Sequence, residues 1–556
     1  MTTTMKDPSP RGKRQLRSGF VAIATLAIAG GVAACEGCRP QGGGGAKPPD
    51  RETPSVRVYL VSDLAGALEP CGCVKDQLGG LDHMAAWYNG ERASVPGSVF
   101  VSAGPLFYLD PTLREEKRAQ ERTKAETLAA SLNGLDLAAF APGRNDWALG
   151  SEELSNLSHL SGAPLIAGNA QGAAAVAWRG PLLRDVHGIK VGIVGVAAPD
   201  QALEGAPLGD LTFSPPTDTV KSDVAILRAQ GAQIIIVLAA VGRGEAKRLA
   251  DAVPDVTAIL VGSTGGGGDD NSPTPAPELV GDVVIAQTGN HLQTVAVLDL
   301  FVREGSMKFQ DGTGLGQAQK REELMRRIDE LHGKIADWEK DGTIAAKDLD
   351  ARRVDLAKLE SDLKALGDHP PPAKGSYFRY AVQEVREGLG VDATVHAQLL
   401  AYYKEVNDAN RKAFAGKMPA PAGPDGNAYA GVESCVSCHP AAKAVWDKTR
   451  HARAYDTLVT GFKEFNLDCV SCHVTGYDRP GGSTVTHVEK LQGVQCEVCH
   501  GPSSKHVANA KTVLPPVPRP NTDLCEGCHH PPHVHQFDGA AKLPGILGPG
   551  HGMPLP

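Results

Sequence analysis

Aromatic residues are scarce, 5% of 556, and acids and bases are interspersed to a formal net charge of -8. The chain therefore offers neither a basic face nor a stacking platform, which excludes a nucleic-acid partner. Long apolar runs are missing too. No stretch of about 20 apolar residues occurs beyond the N-terminal segment, so no transmembrane helix is predicted. Cysteine is nearly absent from most of the chain: eight of the 12 lie after residue 434, leaving Cys35, Cys38, Cys71 and Cys73. That distribution excludes a disulfide framework. A hydrophobic content of 42% is ordinary for core-forming protein, and the length suggests about three to four domains.

The late cysteines form one pattern. Cys-x-x-Cys-His occurs at Cys435 to His439, Cys469 to His473, Cys496 to His500 and Cys525 to His529. Two thiols three residues apart take the two thioether bonds of one haem, and the following imidazole ligates its iron. Each pentad thus predicts a haem c, with Cys435, Cys438, Cys469, Cys472, Cys496, Cys499, Cys525 and Cys528 as attachment sites and His439, His473, His500 and His529 as proximal ligands. Zinc is the rival, but a zinc ribbon has no reason to place His after the second Cys in every unit.

At the other end, Lys6, Arg11, Lys13, Arg14 and Arg17 precede an apolar run from Phe20 to Ala29. That is an export signal. Val32-Ala33-Ala34-Cys35 resembles a bacterial lipobox, which would make Cys35 the lipidated residue and tether the protein to a membrane; a plain cleaved signal is the alternative. Residues 1–34 are read as the signal peptide and 35–53, rich in Gly and Pro, as a flexible tether. Haem attachment of this kind belongs outside the bacterial cytoplasm, so both ends agree on the periplasm or cell envelope.

Between them, short β-branched apolar runs alternate with helical or Gly/Pro-rich segments: Val56 to Val61, Val99 to Ala103, Lys190 to Ala197, Gln233 to Leu238, Thr257 to Val261, Val283 to Ala286 and Thr294 to Leu300. Buried sheet strands covered by helices are predicted over residues 54–305. Leu324, Ile328, Leu331, Ile335 and Trp338, then Leu356, Leu359, Leu363 and Leu366, step by threes and fours, predicting a helical hairpin over 315–367 that serves as spacer or dimer seam. A helical connector over 373–416, with its helical stretch from Tyr377 to Phe414, leads to the haem-binding region at 427–556.

The order of elements in 54–303 resembles the secreted 5′-nucleotidase branch of the calcineurin-like metallophosphatases, implying an α/β/β/α sandwich. The metal ligands depart from that family's pattern. Asp63 is kept, but Ala65 stands at a His position and Gly104-Pro105 replaces Gly-Asp. Arg144 and Asn145 precede Asp146 where the family has Asn-His-Glu, Ala239 and Ala240 replace a His, and Ser263 and Gly265 replace Gly-His-x-His. Asn169 sits near another ligand position and reads as a loop asparagine. A two-metal hydrolase needs carboxylates and imidazoles converging on ions about 4 Å apart. Asp63, Asn145 and Asp146 do not make that set, so a degenerate scaffold that binds a small molecule or a protein partner is predicted. Beside it, Cys71 and Cys73 with His83 suggest a soft-metal site, a disulfide to Cys38, or structural thiols.

The strings around the pentads, including Trp446, Arg450-His451-Ala452, Val494 to Pro502 and His506, resemble the tetrahaem cytochrome c family whose founding member accepts electrons from hydroxylamine oxidation. The likeness spans about Gly431 to His551 and implies a mostly helical, loop-rich fold. Eleven of the 18 histidines lie in this region. Beyond the proximal ones, His451, His506 and His551 are the favoured distal ligands, with the fourth drawn from His487, His533 or His535; His530, adjacent to a proximal ligand, is disfavoured. Met418 and Met553 leave Met ligation open, although His on both faces should dominate.

The sequence as a whole therefore predicts a multidomain α/β plus α protein: an exported, lipid-anchored carrier with four haem c, passing electrons between a redox protein donor and acceptor. Two rivals stand: a multihaem oxidoreductase acting on a small nitrogen compound at an open iron, and an active nucleotidase or phosphoesterase that carries a cytochrome region. Purified protein given Mn²⁺, Zn²⁺ or Ca²⁺ is expected to release no phosphate from nucleotides; metal-dependent turnover contradicts the degenerate-scaffold reading.

Overall fold

The computed structural model describes residues 52–70, 77–178, 180–199, 208–264, 271–340, 345–367, 371–530, 534, 537–548, 550 and 551. The predicted export segment, Cys35, Cys38, Cys71, Cys73, Gly265, His533, His535 and Met553 lie outside them. Thr53–Pro556 forms one unit.

All seven apolar runs picked out above are strands. In chain order the elements are β1 (Val56–Ser62), α1 (Leu81–Ser94), β2 (Ser98–Gly104), α2 (Arg118–Gly134), β3 (Leu137–Pro142), α3 (Gly150–Ser161), β4 (Ala170–Gln171), β5 (Leu182–Val186) and β6 (Ile189–Ala197). Next come β7 (Thr212–Phe213), α4 (Pro216–Ala229), β8 (Ile234–Ala240), α5 (Arg243–Ala252), β9 (Ala258–Gly262), β10 (Glu278–Val280), β11 (Val283–Ala286), β12 (Thr294–Phe301) and β13 (Gln310–Asp311). The helices α6 (Ala318–Lys340) and α7 (Ala346–Gly367) precede β14 (Tyr377–Glu384) and α8 (Ala393–Ala413).

Two six-stranded sheets result, ordered β13-β14-β12-β1-β2-β3 and β10-β11-β9-β8-β6-β5. Alternation along β1 shows how they stack, because successive side chains of a strand point to opposite faces. Val56, Val58 and Leu60 meet Ile193, Ile236, Leu238 and Leu260 between the sheets. Tyr59 and Val61 face outward, where Met84, Leu128 and Leu399 of α1, α2 and α8 cover them. The far face of the second sheet, with Val194, Ile235 and Val237, is covered by Val220 and Leu227 of α4 and Leu249 of α5. The layer order is α/β/β/α.

The helical connector is corrected at its start. Tyr377–Glu384 is a strand, paired antiparallel with β12 from Phe301↔Tyr377 to Thr294↔Glu384. Its aromatics explain the choice: Phe378 and Tyr380 enter the core between the sheets, and the Tyr377 ring stacks on Phe301 at 4.4 Å. Aromatic cross-strand pairs favour a sheet over a helix here. The α/β body therefore does not end near residue 305. Its first sheet is completed by β14, and α8, capped by Asp392 accepting from the N–H groups of Thr394 and Val395 at 3.0 Å, packs on the outer face of that sheet.

The predicted hairpin is an excursion between β13 and β14. Arg353 pairs with Glu339 at 2.7 Å and His332 with Glu360 at 3.4 Å, so α6 and α7 run antiparallel. Leu324, Ile328 and Ile335 are buried along the seam.

The pentad region is built of short helices, Pro440–Trp446, Ala454–Thr460, Val470–His473, Cys496–His500, Ser504–Ala508 and Gly539–Lys542, joined by loops. One small apolar cluster, Tyr455, Leu458, Leu467, Val470, Val474, Val485 and Val488, is its buried hydrocarbon core. Polar fastening compensates. The buried Glu497 carboxylate accepts from the backbone N–H groups of Ala430 at 2.9 Å, Gly431 at 2.8 Å and Ser503 at 2.8 Å, tying the approach to the first pentad onto the third. Among the described residues no helix is long and apolar enough to cross a membrane. Glu497→Ala strands three N–H donors and is expected to cost about 3 kcal/mol or more, read as a lower thermal midpoint, with Glu497→Gln costing less; an unchanged midpoint for the Ala variant contradicts this fastening.

Candidate haem-binding site

Each pentad is one helical turn, which is what brings its three functional side chains together. Residues i, i+3 and i+4 of a helix share a face. Val470–His473 and Cys496–His500 are helical. The other two are wound by His439 N–H to Cys435 O at 2.9 Å and His529 N–H to Cys525 O at 2.8 Å.

The pentads adjoin one another out of chain order. Cys435 lies beside Cys496 and lowers its pKa to about 7. Cys528 lies beside Cys472 and lowers its pKa to about 6. Cys499 is pushed up to about 11 by burial, with Cys525 close enough to add to the shift. In space the order is first, third, fourth, second.

Three pentad imidazoles lie close to a second imidazole. Ring centres are 6.4 Å apart for His439 and His506, 6.2 Å for His529 and His451, and 6.2 Å for His500 and His551. Two imidazoles sharing one metal at about 2.0 Å per bond, with each nitrogen about 1.15 Å from its ring centre, hold their centres about 6.3 Å apart. The pairs fit an iron between them. His506 and His500 each place Nδ1 against a carbonyl oxygen, Val513 at 2.5 Å and Val517 at 2.9 Å. A carbonyl only accepts, so Nδ1 carries the proton and Nε2 keeps its lone pair for a metal. Burial lowers the pKa of His451, His529 and His551, which keeps them neutral. Phe537 stacks on His529 at 4.1 Å and fixes its plane.

His473 differs. Its Nδ1 donates to Ala454 O at 2.6 Å, leaving Nε2 free, yet among the described residues no ring faces it. His487 turns Nδ1 toward the hydroxyls of Thr486 at 3.1 Å and Thr484 at 3.3 Å and faces no proximal imidazole among the described residues. Trp446 supports the site at a remove, donating from Nε1 to Val494 O at 2.7 Å. Sequence reasoning missed Glu497 and the carbonyls of Val513 and Val517. Backbone acceptors leave no trace in a sequence, and Glu497 is marked only by being an acid inside a pentad.

The phosphatase-like positions lie where β1, β2 and β9 end. Asp63 and Ala65 keep left-handed backbone, each with φ of 53°. The Asp63 carboxylate accepts from Ser263 N–H at 2.7 Å, and burial raises its pKa to about 6 against that bond. Burial likewise raises Asp146 to about 7, although it accepts from the N–H groups of Phe107 at 2.8 Å, Leu106 at 2.9 Å and Gly143 at 3.0 Å. Asn145 donates to Leu109 O. Asn169 lies in the turn before β4 and is buried there, donating to Ala197 O at 2.7 Å and Ser214 O at 2.8 Å and accepting from Ala197 N–H at 3.0 Å. Ala239 and Ala240 are wholly buried. The two sheets close on each other here, since a Cβ on Gly262 would stand 2.1 Å from Gly104 N and one on Gly104 2.1 Å from Asp63 Oδ1. These side chains serve the backbone. Among the described residues, no three His, Cys, Asp or Glu side chains converge as they would around a bare ion.

Several solved structures resemble the α/β body. A 5'-nucleotidase precursor from Thermus thermophilus is 16% identical with a TM-score of 0.43, covering 72% of this chain and 68% of its own. The NAD nucleotidase of Haemophilus influenzae is 17% identical with a TM-score of 0.37, covering 45% and 48%. A calcineurin-like phosphoesterase from Bacillus subtilis is 17% identical with a TM-score of 0.37, covering 45% and 86%. For the pentad region, cytochrome c-554 of Nitrosomonas europaea is 36% identical over 90 residues, which is 13% of this chain. The chain spans 38% of that curated relative. Residues 434–501, which hold the first three pentads, match the model of the family described as cytochrome c554 and c-prime.

Proposed function

We propose that the protein is an exported c-type cytochrome that carries electrons through four haem c groups, on a metallophosphatase-like body that performs no hydrolysis. The observation that carries this reading is the set of three imidazole pairs at the spacing a shared iron requires. Cys435 with Cys438, Cys469 with Cys472, Cys496 with Cys499, and Cys525 with Cys528 hold the haems, and His439, His473, His500 and His529 ligate them from one side. His506, His551 and His451 close the first, third and fourth haems respectively. Bound haem supplies reversible one-electron chemistry at iron; the chain's residues fix its orientation and cover it. The first, third, fourth and second sites form a contiguous route, entered and left through a redox donor and acceptor.

Inactivity of the α/β body is supported by its side chains. Asp146 and Asn145 are spent on backbone groups, and the meeting of Gly104 with Gly262 fills the space between the sheet ends. The basic and apolar N-terminus supports residence in the bacterial periplasm or cell envelope, with Cys35 as lipid anchor.

A second reading is an oxidoreductase acting on a small nitrogen compound at an open iron; it turns on the far side of the second haem, for which the candidates His533 and His535 lie outside the described residues. Electron paramagnetic resonance of the oxidised protein tests both readings. Low-spin signals from three haems are expected, one of them becoming high-spin in His551→Gly; absence of low-spin signals overturns the assignment of pairs. A high-spin second haem whose signal changes with added nitrite or hydroxylamine supports the oxidoreductase, and a fourth low-spin haem leaves a carrier alone.

A further inference from the structure

Among the described residues, the α/β body grips the segment entering one pentad by a side-chain network that the other pentads do not share. The segment entering the second pentad is held by side chains of α2 and α8. Gln120 sits at the centre, buried, with every polar atom used. Its Oε1 accepts from Leu467 N–H and Asn410 Nδ2, each at 2.9 Å, and its Nε2 donates to Asp468 Oδ2 at 2.9 Å and Asn466 Oδ1 at 3.3 Å. Asn410 donates to Phe465 O at 2.9 Å, and Asn407 Oδ1 accepts from Phe465 N–H at 3.0 Å. Upstream, Lys463 pairs with Glu69, which also accepts from Tyr403 at 2.9 Å.

The charges converge on Asp468, the residue before Cys469. Lys117 forms an ion pair with it, and Lys124 Nζ stands 3.9 Å from Oδ2. Asp468 is a third exposed, its pKa is lowered by those two ammonium groups against a desolvation cost, and it is ionised at neutral pH. The α8 phenols Tyr402 and Tyr403, both buried and 4.9 Å apart, lie within electrostatic range of the Cys469 thiol.

We infer that the retained role of the phosphatase-like body is to seat the second haem and set its reduction potential, through Asp468 at the attachment turn and its counter-ion Lys117 on α2. Both are positioning residues that act through Cys469 and through their field at the haem. The inference rests on haem attachment at Cys469 and Cys472. Oxidised haem iron carries one more positive charge than reduced iron, so a fixed anion beside it favours the oxidised form and a fixed cation the reduced form. A packed, low-dielectric junction screens this less than open water does.

Opposite signs separate a field effect from mere loosening. In the full holoprotein, spectroelectrochemical titration gives four midpoints, and the Cys469→Ala/Cys472→Ala variant identifies the second haem by the one it lacks. Asp468→Asn is expected to raise that midpoint, Lys117→Gln to lower the same one, and Asp468→Glu to restore it, with the other three unmoved. Shifts of like sign in both variants, or no shift at full haem content, overturn the inference. Should Asp468→Asn fail to take up the haem, the sign of the Lys117→Gln shift decides alone. Wild-type protein that binds no haem at these cysteines contradicts the cytochrome reading itself and is distinguishable by its haem content before any titration.

Discussion

The spacing between paired imidazoles is the constraint on which the haem-binding region depends. One imidazole of each pair comes with its pentad, delivered by the helical turn that aligns residues i, i+3 and i+4. The other must arrive from elsewhere in the chain and stop at the right distance. His451 precedes its partner His529 by two intervening pentads, and His551 lies beyond the last pentad while facing the third. The polar fastenings make sense in this light. Glu497 ties the approach to the first pentad onto the third, and carbonyls of residues 513 and 517 orient His506 and His500. With one small apolar cluster available, hydrocarbon burial alone does not fix so many long-range distances.

The α/β body shows the complementary case, a scaffold whose polar side chains are committed to its own backbone. Asp63 and Ala65 have left-handed backbone and the two sheet ends meet, while among the described residues no three His, Cys, Asp or Glu side chains converge. Asp146 holds three backbone N–H groups, Asn169 bridges strand and loop, and Gly104 with Gly262 permits the sheets to touch. What the body offers the rest of the protein is an outer helical face. There α2 and α8 present Gln120, Lys117 and Asn410 to the segment leading into the second pentad.

Local patterns were legible and distant ones were not. The pentads, the apolar strands and the hairpin seam are written in spacings of two to four residues, and the fold reproduces them. Tyr377–Glu384 misled because a strand's partner is not in its own window: β12 lies about eighty residues earlier, and without it aromatic residues next to a helical segment read as helix. His451, His506 and His551 were legible as candidates, but which pentad imidazole each would lie beside was not, since that pairing is settled by tertiary packing. His487 illustrates the limit from the other side. It was one of three candidates for the fourth distal position, and among the described residues it lies beside no pentad imidazole, its Nδ1 being turned to threonine hydroxyls.

The central claim is that the eight late cysteines are bonded to haem. Intact mass spectrometry of the purified protein, denatured in acid and treated with an alkylating reagent, tests it most directly. The account predicts a mass raised by four haems, retained after denaturation, with no alkylation at Cys435, Cys438, Cys469, Cys472, Cys496, Cys499, Cys525 or Cys528. A mass without haem, and alkylation at those eight thiols, would contradict it.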